Sequence, residues 1–106
     1  MKRRMVPLFV LLALLGADKG EKSDKPEKPA VSIKNLEYSP NSITIKPGET
    51  VVWTNNDDRD HTVTGKDFNS GTISVGGTFQ HAFPKAGTYP YSCKYHPRMK
   101  GTVVVK

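Results

Sequence analysis

Cys93, His96 and Met99 stand three residues apart, and three apart again, in Tyr89-Pro-Tyr-Ser-Cys93-Lys-Tyr-His96-Pro-Arg-Met99-Lys-Gly101. A thiolate, an imidazole and a thioether are soft donors. A loop this short makes the three side chains converge on one point. With a second imidazole they become a His₂Cys trigonal set with a weak axial Met, which suits copper and one-electron transfer. His61 is the better candidate for that imidazole, because it ends the polar run Asn55-Asn56-Asp57-Asp58-Arg59-Asp60 at a loop-to-strand junction. Taken singly, each residue has a plainer role: Cys as a small buried hydrophobe, Met as core filler, His in a surface turn. C-x₂-H-x₂-M at a strand end, with an upstream His, is a specific combination and points to a metal site. His81, the third histidine, shares a face with Phe79 and Phe83 and reads as structural or surface.

The residues around these donors alternate with a period of two, and no sustained 3.6-residue apolar period competes. Val31 and Ile33, Ile43 and Ile45, Val51 and Trp53, and Tyr89, Tyr91 and Cys93 each share a face. Pro47-Gly48 marks a turn, and Thr102 to Val105 reads as a closing strand. Between Asn55 and Gly71 the pattern breaks into loops around one short strand expected at His61–Thr64. Short strands with frequent turns imply an all-β Greek-key sandwich or barrel of about seven to eight strands. In that architecture the loop ending in His61 can lie beside the loop that follows Cys93.

The 106 residues have room for one domain. Met1 to Arg4 carry three positive charges, Met5 to Leu15 run apolar with Pro7 the only interruption, and Gly16-Ala17 follow. This is the pattern of a secretory signal over residues 1–17. Eleven helical residues would span only about half of a hydrocarbon core of ~30 Å. Leu15 is bulky for its place before the cleavage point, so an uncleaved anchor is the alternative. Residues 18–30, DKGEKSDKPEKPA, hold four Lys, four acids and two Pro with no large apolar side chain, and read as a disordered linker. Residues 31–106 form the domain. A net charge of +6 falls to +3 without Lys2, Arg3 and Arg4. That is too mild and too scattered for nucleic acid. One cysteine excludes an internal disulfide, so an exported domain this small gains from a bound metal.

The chain also resembles the cupredoxins of the plastocyanin and azurin group, and amicyanin most of all. The resemblance rests on Tyr38-x-Pro40 before Ile43-x-Ile45, on Pro47-Gly48, on Val51-x-Trp53-x-Asn55, on His61-Thr62-Val63, and on Gly87-Thr-Tyr-x-Tyr-x-Cys93-x-x-His96-Pro-x-Met99-x-Gly101-x-Val103. It implies one copper ion, Cu(I) or Cu(II), held by His61, Cys93, His96 and Met99. It implies that the Thr62 backbone N–H points at the Cys93 sulfur and that Asn55 pins the ligand loops together. It makes His96 the exposed imidazole and electron port.

Three departures stand out. Tyr95 replaces the Pro usual before His96, Arg98 replaces an aromatic beside the port, and Asp60 precedes His61 where Pro or Gly is common. The expected role is electron transport as a blue copper protein, not an enzyme, in the periplasm or another extracytoplasmic space. Its partners would be transient redox proteins meeting a monomer, with membrane contact only if the N-terminal segment is uncleaved. The alternative is a copper-handling protein, a chaperone, buffer or sensor, on the same fold.

Overall fold

The computed structural model describes residues 28–106. The expected signal over 1–17 and residues 18–27 of the expected linker lie outside them. Eight strands follow in chain order among the described residues: β1 Ala30–Lys34, β2 Glu37–Ser39, β3 Ser42–Ile45, β4 Thr50–Asn55, β5 Thr64–Gly65, β6 Thr78–Ala82, β7 Gly87–Ser92 and β8 Lys100–Val105. The first strand begins one residue before the boundary expected at Val31, with the Pro29 carbonyl accepting from Val52 N–H at 2.9 Å.

The strands form two four-stranded sheets, ordered β2-β1-β4-β6 and β3-β8-β7-β5. Each sheet contains one parallel pair. Val31 lies opposite Trp53 and Ile33 opposite Asn55 in β1 and β4. Ile43 lies opposite Val103 and Ile45 opposite Val105 in β3 and β8. The period-two pattern decides which side chains enter the core. Val51, Trp53 and Asn55 of β4 point in, while Val52 and Thr54 are half-exposed. Gly101, Val103 and Val105 do the same on β8. These rows face one another between the sheets, with Phe83, Phe68 and Val63 filling the space. Each buried Val or Phe among them contributes about 1.5–3 kcal/mol of burial before ordering entropy is subtracted.

Trp53 is the hub of that core. Tyr91 meets it edge-on at 5.5 Å between ring centroids, and Phe79 lies tilted at 5.6 Å. Tyr38 packs edge-on against Tyr91 at 4.6 Å. Tyr91 needs Gly101 opposite it in the ladder, because a Cβ there would sit inside van der Waals contact with the tyrosine ring. The Trp53 indole N–H and the Tyr91 hydroxyl are buried without a well-aligned hydrogen-bond partner. Burial pushes the Tyr91 phenol up to about 12, with the Trp53 indole opposing slightly.

The strand expected at His61–Thr64 is displaced: β5 covers Thr64 and Gly65, and His61 makes only an isolated bridge with Ile73. The reason lies in where the backbone donors go. Thr62 N–H points at the Cys93 sulfur and Val63 N–H donates to Ser70 Oγ at 2.8 Å. Amides spent on side chains cannot build a ladder.

Candidate metal centre

His61, Cys93 and His96 meet at one end of the sandwich, their ligating atoms all within 4.8 Å of one another. His61 comes from the loop between β4 and β5. The other two come from the loop joining β7 to β8. That hairpin loop closes on itself: Cys93 N–H donates to the Met99 carbonyl at 3.1 Å, His96 N–H to the Cys93 carbonyl at 3.3 Å, and Met99 N–H to the His96 carbonyl at 2.8 Å. Its ends are clamped by the ladder pair Ser92 and Lys100. His61 is 0% exposed, Cys93 1% and Met99 4%, whereas His96 is half-buried at the rim.

Both histidines turn Nδ1 toward the sulfur, and each Nδ1 lies 3.7 Å from Cys93 Sγ. Metal–sulfur and metal–nitrogen bonds of about 2.3 and 2.0 Å at a trigonal angle put two ligands about 3.7 Å apart. The spacing therefore fits an ion between them. Two imidazoles and a thiolate, with Met99 buried on the same loop, are the donor set of a copper electron-transfer site. The four residues form a type 1 copper site.

Thr62 ties the two loops to each other. Its N–H points at Cys93 Sγ at 3.4 Å, and its hydroxyl accepts from Lys94 N–H at 2.8 Å. Its carbonyl accepts from the Tyr38 hydroxyl at 2.5 Å. Burial first, then the nearby Cys93 and Tyr91, drives the Tyr38 phenol far above its ordinary range, so it stays a donor. Asn55, fully buried, holds the His61 loop from beneath. Its Nδ2 donates to the carbonyls of Arg59 at 2.9 Å and Ile73 at 2.8 Å, and its Oδ1 accepts from Asp57 N–H. These bonds organise the loop from Asn55 to His61 and the Ile73 bridge; none reaches the Cys93 loop.

Sequence reasoning missed Asp57. Its Oδ2 lies 2.8 Å from His61 Nε2 and also accepts from Leu36 N–H. Burial works to raise the carboxyl, but the hydrogen bonds from His61, Leu36 and Asp58 outweigh it and hold the group well below the usual carboxylate range. Asp60, the acid adjacent to His61 in sequence, is exposed. A carboxylate within four residues of a candidate ligand was the available signal, but Asp57, Asp58 and Asp60 all meet it. His81 stays outside the cluster. Half-buried on β6, its ring packs against Phe68 at 5.0 Å and Phe83 at 4.9 Å.

Residues 5–105 match the family described as the cupredoxin-like domain. The chain is a cupredoxin. It is 35% identical over 83 residues to amicyanin of Paracoccus versutus, covering 72% of this chain but only 63% of that protein's length. It is 36% identical over 88 residues to plastocyanin of Scenedesmus fuscus, covering 67% of this chain and 88% of that one. Among solved structures, this cupredoxin superposes on a purple cupredoxin from Nitrosopumilus maritimus with a TM-score of 0.71 at 33% identity, covering 74% of this chain and all of that one.

Proposed function

We propose that this cupredoxin shuttles single electrons between redox proteins in the periplasm or another extracytoplasmic space. The observation that carries the reading is the pair of 3.7 Å separations between Cys93 Sγ and the two Nδ1 atoms. The donors already stand where a trigonal ion needs them, so little has to move when the charge changes. Copper bound there supplies the one-electron couple. The chain does the rest. An ionised Asp57 can only accept, so His61 Nε2 donates to it and Nδ1 keeps its lone pair for the metal. Thr62 N–H places a donor on the thiolate. Three buried donors keep water out, while half-buried His96 offers the route to the surface.

That rim is also the proposed docking face. Leu36, Tyr95, His96, Pro97, Arg98 and Met99 line a shallow hollow of about 410 Å³. Leu36 is 42% and Tyr95 48% exposed. Arg98 sets a cation beside the port, which favours a partner with carboxylates at its own rim. Small apolar contacts with a charged edge suit brief encounters.

The deep burial of Cys93 and Met99 speaks against copper handling, which needs ligands that a partner can reach. Catalysis is disfavoured as well, since four protein donors leave no open position for a substrate. A visible spectrum after addition of Cu(II), followed by voltammetry, tests the proposal. An intense thiolate-to-copper band with a reversible one-electron wave is expected. A colourless protein holding only Cu(I), or passing copper to an acceptor, would favour handling.

A further inference from the structure

The hydroxyls of Tyr95 and Thr72 share a hydrogen bond across 23 residues of sequence. Tyr95 precedes ligand His96, and Thr72 precedes Ile73. Ile73 in turn is locked to ligand His61 by a double backbone bridge: Ile73 N–H donates to the His61 carbonyl at 2.7 Å and His61 N–H to the Ile73 carbonyl at 3.2 Å. The Ile73 carbonyl also accepts from Asn55 Nδ2 at 2.8 Å. The dipeptide Thr72-Ile73 therefore touches both histidine loops. On the far side of His96, the ring of Pro97 restricts its own φ. On the near side nothing in the covalent chain restrains Tyr95, whose side chain is 48% exposed.

We infer that Tyr95 is a positioning residue, and that its hydroxyl bond to Thr72 holds the His96 loop in fixed relation to His61 before any metal arrives. This rests on the copper reading for its purpose, but not for its measurement. The partners are named by geometry alone, and the bond carries no charge that a nearby ligand could unbalance. The backbone bonds within the loop and the Thr62 contacts at Cys93 and Lys94 fix its base; the Tyr95–Thr72 bond adds a restraint at the tip, next to His96.

The test uses the full chain carrying Tyr95→Phe, Thr72→Val or both, with Thr72→Ser as the rescue that keeps a hydroxyl. Tyr95→Phe keeps the ring, and both sites are exposed, so folding is expected to survive. In the metal-free protein, amide exchange of His96 and Met99, whose N–H groups close the loop, should quicken by about three- to tenfold in each single variant, the size of one net hydrogen bond. The double variant should add nothing beyond either single one, as two ends of one bond require. Thr72→Ser should restore slow exchange, and strand amides of β4 and β8 should not change. With Cu(II) added, the single variants should lose copper faster to a chelator and shift the visible band, which a merely structural bond would not do. Unchanged exchange in the single variants, or additive effects in the double one, would overturn the inference. A wild-type protein that takes up no copper would refute the copper reading instead, and the exchange data would still decide the tether.

Discussion

Asp57 Oδ2 sits 2.8 Å from His61 Nε2, and the two side chains fix the state of one another. The acid is held ionised by three hydrogen bonds, so the imidazole must donate to it. The nitrogen facing Cys93 is then the one with a free lone pair. One buried pair thus orients the ring, selects its tautomer and puts a negative charge behind the metal.

Replacing Asp57 with Asn removes that charge and leaves one oxygen to do the work of two, since Oδ1 and Oδ2 both accept bonds now. Copper affinity should fall by about 10–100-fold, the usual effect of losing a partner of a ligand. The reduction potential should rise, because Cu(II) loses more from the missing charge than Cu(I). Chelator competition and voltammetry measure the two effects; an unchanged potential would mean that the carboxylate charge does not reach the metal.

Cys93→Ser should abolish the blue band, since a hydroxyl cannot supply thiolate charge transfer. His81→Ala should leave the spectrum nearly intact, because that ring stacks among phenylalanines outside the donor cluster. Bleaching in the second variant would show that the wrong upstream histidine had been assigned.

Copper that binds the folded site and not the unfolded chain should stabilise by about 2.7 kcal/mol at a hundredfold excess over Kd. For a domain of this size that corresponds to a rise in Tm of roughly 10–20 °C. Calorimetry with and without metal measures it, and coincident transitions would count against a site built by folding.

The pH dependence of the metal-free protein follows from three shifted groups, Asp57 at the acid end and Tyr91 and Tyr38 at the alkaline end. The Asp57 carboxyl is held below its ordinary 3.8, so its contribution is complete above that value and is lost as pH falls toward the folded value. Urea unfolding from pH 7 to pH 3, across the ordinary carboxylate range, should show a decline that Asp57→Asn flattens. At the alkaline end, Tyr91 is raised from 10.0 to about 12. Its contribution is complete below pH 10 and is lost as pH rises toward 12. The share of the tyrosinate absorbance that belongs to buried Tyr91 and Tyr38 should therefore appear together with unfolding; a folded protein in which all four tyrosines ionise by pH 10 would contradict the burial.

Gly101→Ala should destabilise by about 1–3 kcal/mol, the cost of overpacking. The added methyl meets the Tyr91 ring, and Tyr91 is backed by Tyr38 and Trp53 and has nowhere to go. Thermal melting of the metal-free variant measures this.

The strands were legible because half-buried sheets force alternation, and Val31, Val51, Trp53 and Val103 obey it. The four donors were legible because sulfur and imidazole are sparse in this chain and their spacing is tight. The short strand near His61 starts three residues later than expected and ends one later, because the amides of Thr62 and Val63 serve Cys93 and Ser70 rather than a neighbouring strand. Asp57 escaped because three nearby acids are equivalent until the loop path is known. Tyr38 escaped because its bond to Thr62 spans 24 residues that no periodicity connects. Thr72 escaped for the same reason.

The parallel pairing of β3 with β8 brings Ile45 beside Val105. The second sheet has no centre until β8 has entered between β3 and β7. Such long-range closure makes folding slow relative to helical domains. Until then Cys93 is an uncovered thiol with no second cysteine in the chain to meet it. In an oxidising compartment its hazard is a bond to another molecule, and burial to 1% removes that hazard. One closure thus serves two ends: the docking of β8 that covers the sulfur also completes the pocket that a metal fills.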